Sequence, residues 1–358
     1  MKERDSNIEL LRIIATIFIL IVHCNGWLLQ EWGGISTWSA DRDFFVGLTR
    51  ATIQSITCIG VDLFVLISGF YAIKPKMKSV LNLFSILAFF YVGTYLFSIL
   101  TGDATFTWKH LIKNICAFSR QNWFIQCYLF LMLLSPILNA FVEKCSKQSM
   151  LKYIGVFLLY SFYFDNIHLS TYFYFNNGYS VTSFMLIYLV GRYLKLYGLE
   201  YFDSLSKSRI LMYYAISLLP MIAILMLSNN SARWLGYNSP LLIISSVLFF
   251  LLFTKISVRS KFINIIGASC LSVYILHTCA PIMGWFLEYD IYIFNNYPFI
   301  LYLLLMLGGC LGIFLMAILL DKIRMLIANP VLRLIDNIKC NYYGNKKPTS
   351  GIGTYYYI

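Results

Sequence analysis

The chain has 358 residues, of which 59% are hydrophobic, 18% aromatic and only 12% charged, with a mean hydropathy of +0.71. Soluble domains carry about 25% charged residues, so this composition excludes an ordinary soluble globule, a coiled coil, a disordered chain and a collagen-like chain. The formal charge of +12 sits in short clusters between apolar runs, not along one stripe, which argues against a nucleic-acid partner.

A hydrocarbon core of roughly 30 Å needs about 20 apolar residues per helix. In chain order the sequence predicts ten spans, at about 8–28, 51–73, 79–100, 122–142, 151–165, 179–191, 210–228, 239–254, 262–282 and 298–320. LNLFSILAFFYVGTYLFSIL, residues 81–100, lacks the alternation of a barrel strand. The expected fold class is therefore all-α, a polytopic transmembrane helical bundle, with a membrane-embedded domain over 1–320 and a tail over 321–358. The first half of the tail reads as an amphipathic helix at the interface and the second as a loosely ordered end. Glu3, Asp5 and Glu9 interrupt the basic region a cleavable signal peptide would need.

With the N-terminus in the cytoplasm, 21 of the 28 Lys and Arg fall in cytoplasmic segments and six in outer ones, Arg42, Arg50, Lys109, Lys113, Arg120 and Arg233, leaving Arg12 inside the first span. The positive-inside rule then puts both termini in the cytoplasm. The fifth span is short, twelve residues before Asp165. If it failed to cross, the basic segments at 192–209 and 255–261 would face outward. The nine cysteines show no CxxC spacing and read as small buried hydrophobes, and no metal site is expected.

Ionisable groups inside spans are costly and mark function by default. The first span, IELLRIIATIFILIVHCNG, holds Arg12 and His23; the second holds Asp62 and Ser68-Gly69; the ninth holds Tyr274 and His277. Eleven residues put Arg12 and His23 on one helix face within roughly 20°, about 16 Å apart along the axis. A snorkelling anchor is the competing reading of Arg12, and an incidental interfacial residue that of each histidine. His277 is expected at the depth of His23, since both spans run outward. Asp62 lies near mid-membrane, where a carboxylate needs a partner or a wet cavity, and Ser68-Gly69 allows close helix approach. The residues alone point to a membrane-embedded transferase or a transporter.

RIIATIFILIVH (12–23), GVDLFVLISGF (60–70), QNWFIQCYLF (121–130) and IGASCLSVYILH (266–277) resemble, in order, the motifs of the integral-membrane acyltransferase-3 family, whose members modify bacterial surface polysaccharides. The second departs from the usual Phe-Phe-Val-Leu-Ser-Gly by one residue of register, with Leu66-Ile67 before Ser68-Gly69. The resemblance implies transfer of an acyl group, usually acetyl, from cytoplasmic acyl-CoA to a hydroxyl of an extracytoplasmic glycan or glycolipid, in the bacterial cytoplasmic membrane. It also implies that Arg12 and His23 are essential. No permanently bound cofactor is expected; acyl-CoA is the donor substrate.

On that basis Arg12, Lys74, Lys76 and Lys78 are expected to hold the CoA phosphates at a basic mouth. The pantetheine arm would thread upward to His23, the general base. Asp62 completes the catalytic set, roughly 6–9 Å below His23, pairing with a basic group or lining the channel. Tyr274 and His277 are expected to bind acceptor or steady the oxyanion. Trp123 is either a sugar-stacking surface or an interfacial anchor. The competing function is a flippase or transporter for a lipid-linked sugar, which would bind no acyl-CoA.

Overall fold

Hydroxyl side chains start many of the helices. In the computed structural model, which describes residues 5–31, 44–116, 122–168, 175–228 and 234–342, α1 (Ser6–Glu31) is unbroken. The second expected span is two helices end to end, α2 (Phe44–Thr57) and α3 (Gly60–Tyr71). After the KPKMK loop come α4 (Met77–Leu100), the short surface helix α5 (Trp108–Ile115) and α6 (Trp123–Lys144). Helix α7 (Lys147–Phe162) runs on through a π-helical turn, Tyr163–His168. Helix α8 (Val181–Tyr193) continues through a second, Leu194–Gly198, into α9 (Leu199–Asp203). Then follow α10 (Lys207–Leu227), α11 (Pro240–Thr254), α12 (Lys261–Gly267), α13 (Cys270–Thr278), α14 (Ala280–Asn296) and α15 (Phe299–Tyr342).

Thr107, Ser146, Ser180, Ser206 and Ser260 each accept the N–H three residues on, at 3.2–3.3 Å. Each satisfies one of the orphan donors of a first turn. These caps set the starts of α5, α7, α8, α10 and α12.

Among the described residues, seven helical segments are long and apolar enough to cross a membrane: Ser6–Gly26, Phe44–Tyr71, Met77–Leu100, Trp123–Lys144, Lys207–Leu227, Lys261–Thr278 and Phe299–Pro330. The other three expected spans fall on α7, α8 and α11, of 16, 13 and 15 residues. Helix α15 exposes Ile300, Leu304, Leu311, Leu315 and Leu319, a stripe at helical spacing of the kind lipid covers. The molecule is an all-α, multi-pass membrane protein.

Helix α1 is central. Leu11, Ala15, Leu20 and Cys24 are fully buried where α1 meets α2, α3, α11, α12, α13, α14 and α15. Ser6 and Ser260 share a hydrogen bond of 3.0 Å, and His23 and His277, 254 residues apart like that pair, are also in contact. Helix α1 and the α12–α13 pair therefore run parallel and in register. Tyr71 donates to Asp5 at 2.7 Å, which puts the KPKMK loop at the N-terminal end of α1, the basic end. The other end is the histidine end.

Two features depart from the expected map. Arg50, counted among the outer loop charges, lies in α2 and is fully buried. Its Nε donates to Asn25 Oδ1 at 2.9 Å and its guanidinium lies 4.9 Å from the Phe294 ring centre. The helix begins seven residues before the expected span because FFVGLTR already continues the apolar spacing. The ninth span is interrupted at Ala268-Ser269, and the freed Ile265 carbonyl accepts from Lys322 Nζ at 3.0 Å. Lys322 also donates to Ser269 Oγ at 2.9 Å. Helix α15 passes residue 320 without a break; Asp321 there accepts from Ser272 and Arg324 at 2.8 and 2.7 Å. Lys2, Arg4, Arg42, Arg120, Arg233, Lys346 and Lys347, and the end of the tail from 343, lie outside the described residues.

Candidate active site

The side chain of His277 is fully buried in the last turn of α13. Its Nδ1 lies 2.9 Å from the Val273 carbonyl, which only accepts, so Nδ1 carries the proton. With both rings neutral, His277 Nε2 then holds a lone pair. It lies 2.9 Å from His23 Nδ1, which must be the donor. The remaining nitrogen of His23, Nε2, keeps the basic lone pair, and the His23 side chain is only partly buried. One backbone carbonyl thus sets the tautomer of two rings in series, as an orienting carboxylate sets that of a single catalytic histidine.

A wall of rings leads from this pair toward the basic end. Tyr274 packs against His277 with ring centres 5.6 Å apart, and Phe124 against Tyr274 at 5.1 Å. Tyr128, one turn further along α6, stacks on Phe124 at 5.9 Å and an interplanar angle of 13°. The Tyr128 hydroxyl lies 3.1 Å from Ser68 Oγ and within electrostatic range of Arg12. Arg12 is 5% exposed, so it does not snorkel into the head groups; its NH1 lies 3.8 Å from Glu9, which is 1% exposed. Gly267 lets Glu9 fit, because a Cβ there would strike its carboxylate. Lys74 is exposed, and Lys76 and Lys78 half-buried, in or beside the loop at the same end.

Asp62 sits in the first turn of α3, fully buried. It accepts from Ser246 at 3.3 Å and, among the described residues, is not brought to His23 or to a basic side chain. Its helix is held tightly: Gly69 packs on the backbone of Tyr188 and Gly191 on that of Leu66, with no space for a Cβ on either. The Ser68-Gly69 pair thus serves close approach, as its sequence suggests. Trp123 stands at the start of α6 beside Asn122, which accepts from Thr278 at 3.4 Å. It is level with the histidine pair and packs among Phe124, Phe184, Tyr179 and Tyr237.

Sequence reasoning missed Glu9, Tyr128, Tyr179 and Tyr237. The first two carried a signal. Glu9 is three residues before Arg12, the spacing of a same-face ion pair, and Tyr128 is one turn from Phe124. Tyr179 and Tyr237 come together through loops, where no periodicity points.

A family model described as Acyltransferase domain, that of the acyltransferase-3 family, matches residues 5–320. No curated protein and no solved structure matches the chain. The matched stretch contains the histidine pair, Arg12, Asp62, the KPKMK loop and Trp123. The chain belongs to the acyltransferase-3 family and is a membrane acyltransferase.

Proposed function

We propose that the protein moves an acyl group, most simply acetyl, from cytoplasmic acyl-CoA to a hydroxyl of a sugar in an extracytoplasmic cell-envelope glycan. The observation that carries this reading is the His23–His277 hydrogen bond of 2.9 Å, with its proton assigned through Val273. The acceptor hydroxyl gives its proton to His23 Nε2 as its oxygen attacks the thioester carbonyl. The tetrahedral intermediate collapses, the carbon–sulfur bond breaks, and the proton passes from His23 to the sulfur, leaving ester and free CoA. His277 Nε2 accepts from His23 throughout and steadies the imidazolium, so it is a positioning residue. Tyr274 walls the reacting end.

Lys74, Lys76 and Lys78 are assigned to the CoA phosphates. Arg12, buried beside Glu9 about 16 Å below His23, is assigned to the donor where the arm enters the bundle. The reading carries ten spans with both termini cytoplasmic, in a bacterial cytoplasmic membrane, the catalytic part lying within 1–320 and the tail over 321–358.

The test is acetyl transfer by purified protein from acetyl-CoA to 4-nitrophenyl pyranosides, followed by mass spectrometry. His23→Ala should lower transfer at least ~10²-fold, the low end for a lost general base. Transfer near the wild-type rate by correctly folded H23A protein would reject the base, and wild-type protein that moves a lipid-linked sugar without using acetyl-CoA would reject the transferase.

A further inference from the structure

Three consecutive residues between α7 and α8 adopt left-handed backbone: Asn176 (φ 50°), Asn177 (φ 51°) and Gly178 (φ 89°). Two of them are asparagines, the residue type that, after glycine, adopts this region most readily, so the sequence itself favours the turn. The turn is held there by a second loop. Tyr237 N donates to the Asn177 carbonyl at 3.0 Å, and Asp165 accepts from Asn177 N at 3.0 Å and from Asn238 Nδ2 at 2.7 Å. Neither interlocking glycine can be replaced without a clash: a Cβ on Gly178 would strike Tyr237, and one on Gly236 would lie 2.6 Å from the Asn177 carbonyl. What the interlocked pair of loops delivers is Tyr179 and Tyr237. Both are pressed against Trp123, with ring centres at 4.5 and 5.6 Å, and Trp123 and Tyr237 are within 23° of parallel.

The rings are too close together to admit a cation between them, so this is a platform and not a cage. Its edge is open, since Tyr179 is 44% exposed. A buried carboxylate lies behind it. Asp62 lies within electrostatic range of Tyr237, and its Oδ1 is buried with no hydrogen-bond partner among the described residues. The hydroxyls of Tyr237 and Tyr179 are hydrogen-bonded to each other. A flat aromatic surface beside a hydrogen-bond acceptor and a hydroxyl matches a ring with one C–H face and a hydroxylated rim. The neighbouring Asn122–Thr278 contact joins this platform to the turn that carries His277.

We propose that Trp123, Tyr179 and Tyr237, with Asp62, form the subsite that seats one pyranose ring of the acceptor. This rests on the transferase reading above and extends it to residues outside the histidine pair. Asp62 is thereby an acceptor-binding residue: its carboxylate takes hydrogen bonds from ring hydroxyls while the C–H face lies over Tyr179.

The test is saturation-transfer NMR on the full chain in lipid nanodiscs, without acyl-CoA, using methyl glucopyranoside, galactopyranoside and N-acetylglucosaminide, with sorbitol and choline as controls. At least one pyranoside should receive saturation on its ring C–H protons, and sorbitol and choline none. Tyr179→Ala should weaken that pyranoside about tenfold, the value of one aromatic contact. Tyr179→Phe should recover most of the binding lost in Tyr179→Ala, and Asp62→Asn should weaken it without altering thermal unfolding. Binding of no pyranoside, equal binding by well-folded Y179A protein, or preference for choline would each overturn the subsite. The readout is separate from catalysis: pyranoside binding with no acyl transfer counts against the transferase reading alone, and transfer with no platform dependence counts against the subsite alone.

Discussion

A histidine serving as base must present the correct nitrogen, and here that choice is fixed by a partner whose own proton is committed to a backbone carbonyl. This separates His277 from a merely structural residue. Gln at 277 can offer an oxygen near the position of Nε2, whereas Leu offers none. His277→Leu should lower kcat roughly 10–100-fold, as loss of an orienting partner does, with acyl-CoA and acceptor KM little changed. His277→Gln should recover a large part of the loss. Equal kcat for the two variants would show that only packing matters at 277. Arg12 is tested in the same manner. Arg12→Lys keeps a cation beside buried Glu9, so the fold is not left with an isolated carboxylate, but it loses the planar fork. It should weaken acyl-CoA binding about tenfold, the worth of one lost charge-assisted hydrogen bond. Unchanged affinity for acyl-CoA by titration calorimetry would return Arg12 to a role within the bundle. At this scale the sequence reveals well that Arg12 and His23 share a helix face, because an unbroken α1 carries both at helical spacing. It does not reveal that Arg50, an outer charge by position, is buried on Asn25, since burial of an arginine depends on partners brought by other helices.

The helices are placed by two sorts of local chemistry that hydropathy does not measure. Hydroxyl caps start five of them a few residues away from where apolarity begins, and paired glycines let α3 and α8 touch backbone to backbone. Gly69→Ala should therefore cost roughly 1–3 kcal/mol, as overpacking does in a tight core. Gly93→Ala in α4, where a Cβ meets nothing within 4 Å, should be neutral or stabilising by up to about 1 kcal/mol. Thermal unfolding in a defined detergent compares the two, and equal shifts would deny the close crossing. Ser68-Gly69 makes this crossing partly legible from sequence; Gly191, its counterpart, stands in a run that reads only as membrane helix. The break at Ser269 was invisible for a related reason. Nothing in GASCLS announces it, and Lys322, which caps the freed carbonyl, lies 53 residues away from Ser269.

Over the whole molecule, the basic loop and the Arg12–Glu9 pair occupy one end and the histidine pair with its aromatic platform the other, joined by Tyr128, Phe124 and Tyr274. Hydropathy alone reads out the class of fold and most of the helices, and charge reads out the proposed sidedness. The loops that meet at Trp123 stay hidden because left-handed turns and ring contacts between distant segments leave no periodic trace. The proposed function has a consequence for transport in this arrangement: the acyl group, and not the sugar, is expected to cross the bilayer. Sealed proteoliposomes with one protein orientation, sorted by accessibility of the C-terminal tail, test this directly. Acetyl-CoA is supplied only on the tail side and a membrane-impermeant pyranoside only on the other. Acetylated pyranoside should form on the far side in wild-type vesicles and fall at least ~10²-fold with His23→Ala. Product that forms only when donor and acceptor share one side would contradict passage of the acyl group through the bundle.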